Sequence, residues 1–262
     1  MSESRIESRK DGALGWIIFS NPARLNAVSL AMWEAIPRVL EEFAADGAIR
    51  CIVLAGAGER AFVSGADISQ FEKLRGTVEA QIVYNKAVEN AYVAPMNTTK
   101  PVIARIRGIC IGGGLGFAAA CDLRICSEES VFRMPAARLG LGYSPSGVRR
   151  FMNVLGAANT IDLFMSARKL DAKEALRMGF VSKVVPAAEL EKTVADYCKL
   201  VAENAPLTVA AAKYAVQQWQ KDEKDRDLAK AMKMVEACFA SEDHQEGRKA
   251  FMEKRTPAFK GK

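Results

Sequence analysis

Two short glycine-bearing stretches carry the most legible chemistry in this chain. Gly112–Gly113–Gly114 follows an apolar run and opens onto the small-residue segment Leu115–Ala120. Glycines at such a junction let a ligand approach the backbone, and the first amides of the helix they open lack intrahelical acceptors. Ser64–Gly65–Ala66–Asp67–Ile68 is a second turn of the same kind. Two N–H groups, one from each strand-to-helix turn, are what is needed to hold one developing oxyanion. Tight helix–strand packing with no ligand is the competing reading of the glycine triplet taken by itself. Gly114–Ala119 also fits a loose G-x-G-x-x-A dinucleotide pattern, but the helix is short and no acid closes a second strand at the required distance.

An alternation of strand and helix signals must position these turns. Residues 14–19 (LGWIIF) and 49–55 (IRCIVLA) read as strands, the second with the continuous apolar character of a strand buried on both faces. Between them, Ser29 caps a helix with Trp33, Ile36, Leu40 and Phe43 on one stripe and a stop at Gly47. Pro37 is expected to kink that helix or leave a carbonyl unpaired. Residues 62–71 make a strand-to-helix turn, followed by a helix to about residue 94 that Pro95 closes. Residues 101–107 (PVIARIR) form another strand, and LRICSEESVFRM reads as a hairpin-like strand pair. A helix around residues 147–156, a capped helix from Asp171 to Met178 ended by Gly179, and the strand VSKVV follow. Such alternation without linkers predicts an α/β fold with one largely continuous core. From Ala187 to Lys254 the pattern is helical, broken near Pro206, Asp222–Asp225 and Ser241. The expected division is an α/β core over residues 1–200 and a helical oligomerisation region over 201–262.

Half of the 262 residues are apolar, enough for a substantial core. No apolar run reaches the roughly 20 residues that span a bilayer, and the polar start MSESRIESRKDG lacks the apolar core of a secretory signal. A cytoplasmic location with no membrane partner is expected. The net charge of +6 is modest, and Lys and Arg are interspersed with acids rather than striped among aromatics. That favours a phosphorylated small ligand over nucleic acid. Six scattered cysteines include no C-x-x-C pair, so neither a zinc site nor a disulfide framework is expected. The single histidine, His244 in EDHQEG, reads as a surface residue.

F-V-S-G-A-D-I, then R-G-I-C-I-G-G-G-x-G-x-A-x-A-C-D-L, resembles the enoyl-CoA hydratase/isomerase (crotonase) superfamily. The likeness continues through R-M-P-A-A-R-L-G-L-G, D-A-K-E-A-L-R-M-G-F-V-S-K-V-V and the tail E-G-R-K-A-F-M-E-K-R-T-P-A-F. It runs through nearly the whole chain, in order. The resemblance implies an α/β, crotonase-like spiral core of repeated β-β-α units with a C-terminal helical trimerisation region, assembled as a homotrimer or a dimer of trimers. It implies an acyl-CoA thioester as substrate and no cofactor beyond the coenzyme A moiety. Ala66 and Gly113 become the oxyanion donors. Residues Ala23, Arg24, Leu25 and Ala27, with Ser64, Ala66, Asp67, Ile68 and Ser69, border the coenzyme A groove, Arg24 being a candidate phosphate contact. Phe251 and Lys254 would reach the coenzyme A of a neighbouring subunit.

Three positions depart from patterns found in the family. The glutamates with which its hydratases serve as acid and base fall at Gly116 and Ala136, and a dienoyl isomerase aspartate falls at Ser144. Hydration needs both a base for water and an acid for the α-carbon. Decarboxylation of a malonyl-type thioester instead forms the enolate by expelling carbon dioxide and needs no base for that step. F-R-M-P-A-A-R-L-G-L-G-Y resembles the methylmalonyl-CoA decarboxylase branch, in which a tyrosine matching Tyr143 orients the substrate carboxylate; that branch has histidine where this chain has Ala66. Rival readings are a hydratase or isomerase that recruits Glu89, Asp67, Tyr143 or Ser144, and a non-catalytic acyl-CoA-binding protein. Tyr84, Val88, Leu139, Leu141 and Phe132 are candidate walls of the acyl pocket.

Overall fold

The computed structural model describes residues 4–70 and 77–262, so the helix start expected beyond Phe71 lies outside the described residues. The chain opens with β1 (Arg5–Asp11) and β2 (Leu14–Ser20), an antiparallel pair, followed by α1 (Leu30–Ala45). Ser29 caps α1 by accepting from Met32 N–H, and the buried stripe is Met32, Trp33, Ile36, Val39, Leu40 and Phe43. The helix runs through Pro37. Three β-β-α turns then succeed one another. They are β3 (Cys51–Gly56), β4 (Ala61–Val63) and α2 (Val78–Asn97); β5 (Val102–Ile106), β6 (Ile109–Ile111) and α3 (Gly113–Ala120); and β7 (Leu123–Ser127), β8 (Val131–Arg133) and α4 (Pro145–Ser166).

In each unit the first strand joins one sheet and the second strand another. The larger sheet has the order β1-β2-β3-β5-β7-β10 and the smaller β4-β6-β8-β9, where β9 is Leu170–Asp171 and β10 is Lys183–Val185. From β2 to β10 the large sheet is parallel, as are β4, β6 and β8 in the small one. This is the expected spiral. The expected hairpin in LRICSEESVFRM does not form. β7 pairs with β5 and β10, and β8 with β6 and β9, so the turn between them carries the chain from one sheet to the other. Buried Ser130 holds that turn, its hydroxyl donating to the Ile106 carbonyl at 3.2 Å.

Strand β1 had no apolar signature in the sequence. Its seven residues are mostly exposed, and it is held by its ladder with β2 at the sheet edge. α2 likewise runs past Pro95 instead of stopping there. Its last carbonyls find partners outside the helix: Lys213 Nζ donates to Pro95 O at 2.9 Å and Gln217 Nε2 to Met96 O at 2.6 Å. Both donors sit on α7 (Pro206–Trp219), one of the C-terminal helices with α5 (Ala172–Arg177), α6 (Leu190–Ala202), α8 (Leu228–Ala240) and α9 (Glu242–Met252). Asp171 caps α5, and Gly179 follows it with φ +78°. The core between the sheets and helices is aromatic: Phe117 lies 4.9 Å from both Phe19 and Trp33, ring centre to ring centre. Five of the six cysteines are buried, and burial pushes the Cys121 and Cys126 thiols up to about 12. No helix among the described residues is long and apolar enough to cross a membrane.

Candidate functional site

The two glycine turns leave adjacent parallel strands of the small sheet in equivalent register. Val63 of β4 pairs with Cys110 of β6, so Ala66 and Gly113 each lie three residues beyond a paired position. Neighbouring strands run about 4.8 Å apart. Two amides at that separation can each approach a shared oxygen to hydrogen-bonding distance.

Local pairing decides where each amide points. Val28 forms a parallel bridge with Ala66: Val28 N–H donates to Gly65 O, and Asp67 N–H donates to Val28 O, both at 2.9 Å. Amides alternate in direction along extended chain, so the Ala66 N–H faces away from Val28. It has no acceptor among the described residues. Gly113 is the first residue of α3, where an amide has no intrahelical acceptor, and its N–H likewise has no acceptor among the described residues. Each is preceded by a glycine in a conformation side chains rarely adopt, Gly65 at φ +123° and Gly112 at φ +52°. Gly114 completes the triplet for another reason: a Cβ there would stand 2.2 Å from Val63 O, so only glycine lets α3 start this close to β4. The third strand of the series, β8, reaches the same register position at Pro135, since Cys110 pairs with Phe132. Proline has no N–H, so the row of donors stops at two.

Both amides border a cavity of about 620 Å³. Tyr84, Val88, Leu139 and Leu141 line it as expected, whereas Phe132 does not; it is fully buried in the core against Phe180. Ala136 and Tyr143 also face the cavity. The Tyr143 ring packs edge-on against Phe164 and Phe151, and Gly147 makes room for it, since a Cβ there would lie 2.6 Å from the ring. Burial lifts the Tyr143 phenol above its ordinary value against the opposing charge of Arg150. Ser144 is occupied as the cap of α4, accepting from Gly147 N–H at 3.1 Å. Glu89 borders the cavity with Arg150 Nη2 3.4 Å away.

Gly116 is the least expected part of the site. A Cβ on it would come within 2.8 Å of the Tyr92 ring and 2.9 Å of its hydroxyl. The phenol head of Tyr92 therefore fills the space into which a side chain at 116 would project. Tyr92 O–H donates to Gly113 O at 3.3 Å, and the Arg150 guanidinium lies over its ring at 4.8 Å. The Arg150 side chain is only 4% exposed, and its Nε and Nη1 have no partner among the described residues. Sequence reading missed both Tyr92 and Arg150. The available signal was Gly116 itself, a glycine inside a helix with a bulky neighbour to accommodate.

The segment Ala23–Ala27 runs beside the first turn. Ser64 N–H donates to Leu25 O and Ser64 Oγ to Arg24 O, both at 3.1 Å. Arg24 Nη1 donates to Asp67 Oδ1 at 2.7 Å and also meets Ser69 Oγ. Burial would raise the Asp67 carboxyl, but hydrogen bonds from Ser69 and Arg24 outweigh it and hold the group below its ordinary value. Asp67 thus ties its own turn to Arg24. Ser64, Ala66 and Ile68 border the cavity; Ala23, Arg24, Leu25, Ala27, Phe251, Lys254 and His244 do not. Phe251 is exposed near the end of α9, and Lys254 follows with φ +55°.

The chain is 32% identical over 258 residues to a short-chain-enoyl-CoA hydratase of Clostridium acetobutylicum, covering 97% of each. It is 34% identical to a carnitinyl-CoA dehydratase of Proteus mirabilis over 96% of each. The solved structure of an enoyl-CoA hydratase/carnithine racemase from Magnetospirillum magneticum superposes with a TM-score of 0.94 at 29% identity, covering 100% of this chain and 97% of that one. Residues 9–262 match the family model described as enoyl-CoA hydratase/isomerase, and with the spiral fold and the paired glycine turns already in place, the chain belongs to that family.

Proposed function

We propose that this chain acts on an acyl-CoA thioester, using the Ala66 and Gly113 amides to stabilise the enolate oxygen, and that it makes that enolate by decarboxylating a malonyl-type acyl group. The observation that carries the reading is the pair of unpaired amides, in matched register, on the wall of one cavity. Each such donor is worth about 3–4 kcal/mol at a developing oxyanion. The positions that bear the hydratase carboxylates in the family pattern hold Gly116 and Ala136, and the Tyr92 ring blocks the first. With no carboxylate at either place to take a proton from water or carbon, loss of carbon dioxide is the route to an enolate that this wall best supports. Tyr143 is the residue we assign to the departing carboxylate: a protonated phenol among Phe151 and Phe164 orients the anion by one hydrogen bond, and the apolar surroundings favour neutral carbon dioxide.

Coenzyme A runs, in this reading, along the turns of Ala23–Ala27 and Ser64–Ser69, and Phe251 and Lys254 approach it from a neighbouring copy in a trimer. The test is carbon dioxide release from malonyl- and methylmalonyl-CoA. Ala66→Pro, which deletes one donor, is expected to lower kcat about 10²–10³-fold, and Tyr143→Phe should slow release as well. A wild-type protein that releases none from either thioester overturns the decarboxylase assignment.

One observation favours a second reading. Glu89 is a carboxylate on the cavity wall, and the relatives bear hydratase and dehydratase names. Hydration of crotonyl-CoA at ordinary rates, abolished by Glu89→Gln, would establish it in place of the first.

A further inference from the structure

Every enolate in this cavity must be quenched by a proton at the α-carbon, and the usual carboxylates are missing. Tyr92 stands where the first would be. Its hydroxyl lies 3.3 Å from the point a Cβ on Gly113 would occupy, and Ala66 N lies 3.5 Å from the same point. The phenol therefore sits beside the pair of amides that hold the thioester oxygen. The α-carbon is only two bonds from that oxygen.

We infer that Tyr92 is the catalytic acid of the reaction, delivering its hydroxyl proton to the α-carbon of the enolate; the assignment rests on the enolate reading above. In the step, the bond between the α-carbon and the carboxylate breaks, its electron pair passes into the enolate, and carbon dioxide departs. The enolate collapses as the Tyr92 O–H bond breaks and a C–H bond forms, leaving a phenolate that water reprotonates. One proton from solvent is consumed per turnover, which balances the charge of the lost carboxylate.

Three features suit Tyr92 to this task. Burial pushes its phenol well above the ordinary value, so the group keeps its proton at neutral pH until the far more basic enolate carbon takes it. The phenolate formed after transfer gains from the nearby Arg150 cation, which lies over the Tyr92 ring at 4.8 Å and whose Nε and Nη1 have no hydrogen-bond partner among the described residues. Tyr143 lines the same cavity, and its phenol offers a path for returning the proton. The titratable neighbours are thus Tyr143, Tyr84 and Arg150, with Glu89 beyond the arginine.

The experiment is turnover of methylmalonyl-CoA in D₂O with NMR analysis of the propionyl-CoA formed. Wild type should place one deuteron on a single face of the α-carbon. Tyr92→Phe, which removes one oxygen and keeps the ring packing, should slow product formation about 10²-fold and lose the facial preference as solvent quenches the enolate. Replacing Tyr92 with a fluorinated, more acidic tyrosine should move the high-pH limb of the rate profile to lower pH without loss of folding. Unchanged rate and unchanged facial selectivity in Tyr92→Phe overturn the assignment while leaving decarboxylation intact. If wild type releases no carbon dioxide, the decarboxylase reading falls, and α-proton exchange of butyryl-CoA in alkaline D₂O, where the phenolate fraction of Tyr92 takes the α-proton and returns a deuteron, decides Tyr92 by itself. Exchange lost in Tyr92→Phe supports the role; exchange absent from wild type, or equal in both proteins, ends it.

Discussion

A carboxylate reintroduced at Gly116 has nowhere to go. Its Cβ would meet a ring whose own position is fixed on several sides: Tyr92 packs edge-on to Trp33 and Phe117, and Arg150 covers its face. Overpacking of that kind costs about 1–3 kcal/mol. Gly116→Glu is therefore expected to lower the thermal midpoint and to confer no crotonyl-CoA hydration, even when combined with Ala136→Glu. Adding Tyr92→Ala should recover much of the lost stability, a coupling that a thermal-unfolding double-mutant cycle measures. At this scale the two glycine turns of the candidate site were legible in the sequence, and the side chains packed around them were not. Gly65 and Gly112 announce their turns because few other residues tolerate their φ values. Tyr92 is an unremarkable aromatic on a helix until α2 packs on α3 and brings it under Gly116, a tertiary contact that no local pattern encodes.

Among the elements, α7 is tied to the core by a buried cation as well as by Gln217. Lys213 Nζ donates to Pro95 O, Lys100 O and Asp122 Oδ2 at 2.8–2.9 Å, and its side chain is 7% exposed. The same Asp122 oxygen accepts from Val102 N–H at 2.7 Å, so the lysine links α7 to the ends of α2 and β5 together. Lys213→Met strands these acceptors and should cost about 3 kcal/mol, read as a lower urea midpoint. This contact also explains why the end of α2 was illegible. Pro95 normally signals a helix stop, but the signal assumes that the freed carbonyls must turn to water, and here α7 supplies the donors. The false hairpin at LRICSEESVFRM has a related cause: two short strands joined by a tight polar turn look alike whether they pair with each other or enter separate sheets. Helix caps and stripes were legible throughout because they are local, as with Ser29, Asp171 and the buried face of α1.

For the molecule as a whole, the segment after α9 folds back onto its own helix. Glu246 receives Arg255 through both oxygens, at 2.7 and 2.9 Å, and also accepts from Ala258 N–H. Asp243 accepts from the amides of Lys260 and Gly261. The hydrogen bonds from Arg255 hold the Glu246 carboxyl at about 2, against an ordinary value of 4.5. A lowered folded value means the clamp is fully present above the ordinary value and is lost as pH falls from there toward the folded one. Hydrogen exchange at residues 255–262 should accelerate across that acid range, and Glu246→Gln should reproduce the effect at neutral pH. The apolar side chains exposed nearby, among them Met232, Val235 and Phe239 on α8 and Phe251 on α9, lead us to expect self-association. Light scattering should give three copies or a multiple of three, and Phe239→Asp with Met232→Asp should reduce the mass. The distance between the Ala66 and Gly113 amides has a different origin from any of these contacts. Both amides lie just beyond the paired ends of β4 and β6, whose register shifts between Ala61 and Val63, so strand pairing fixes the base from which each turn leaves. Heating should therefore leave it unaltered until the sheet itself melts, so that catalytic competence and global structure vanish over one temperature interval, with no inactive folded form between them.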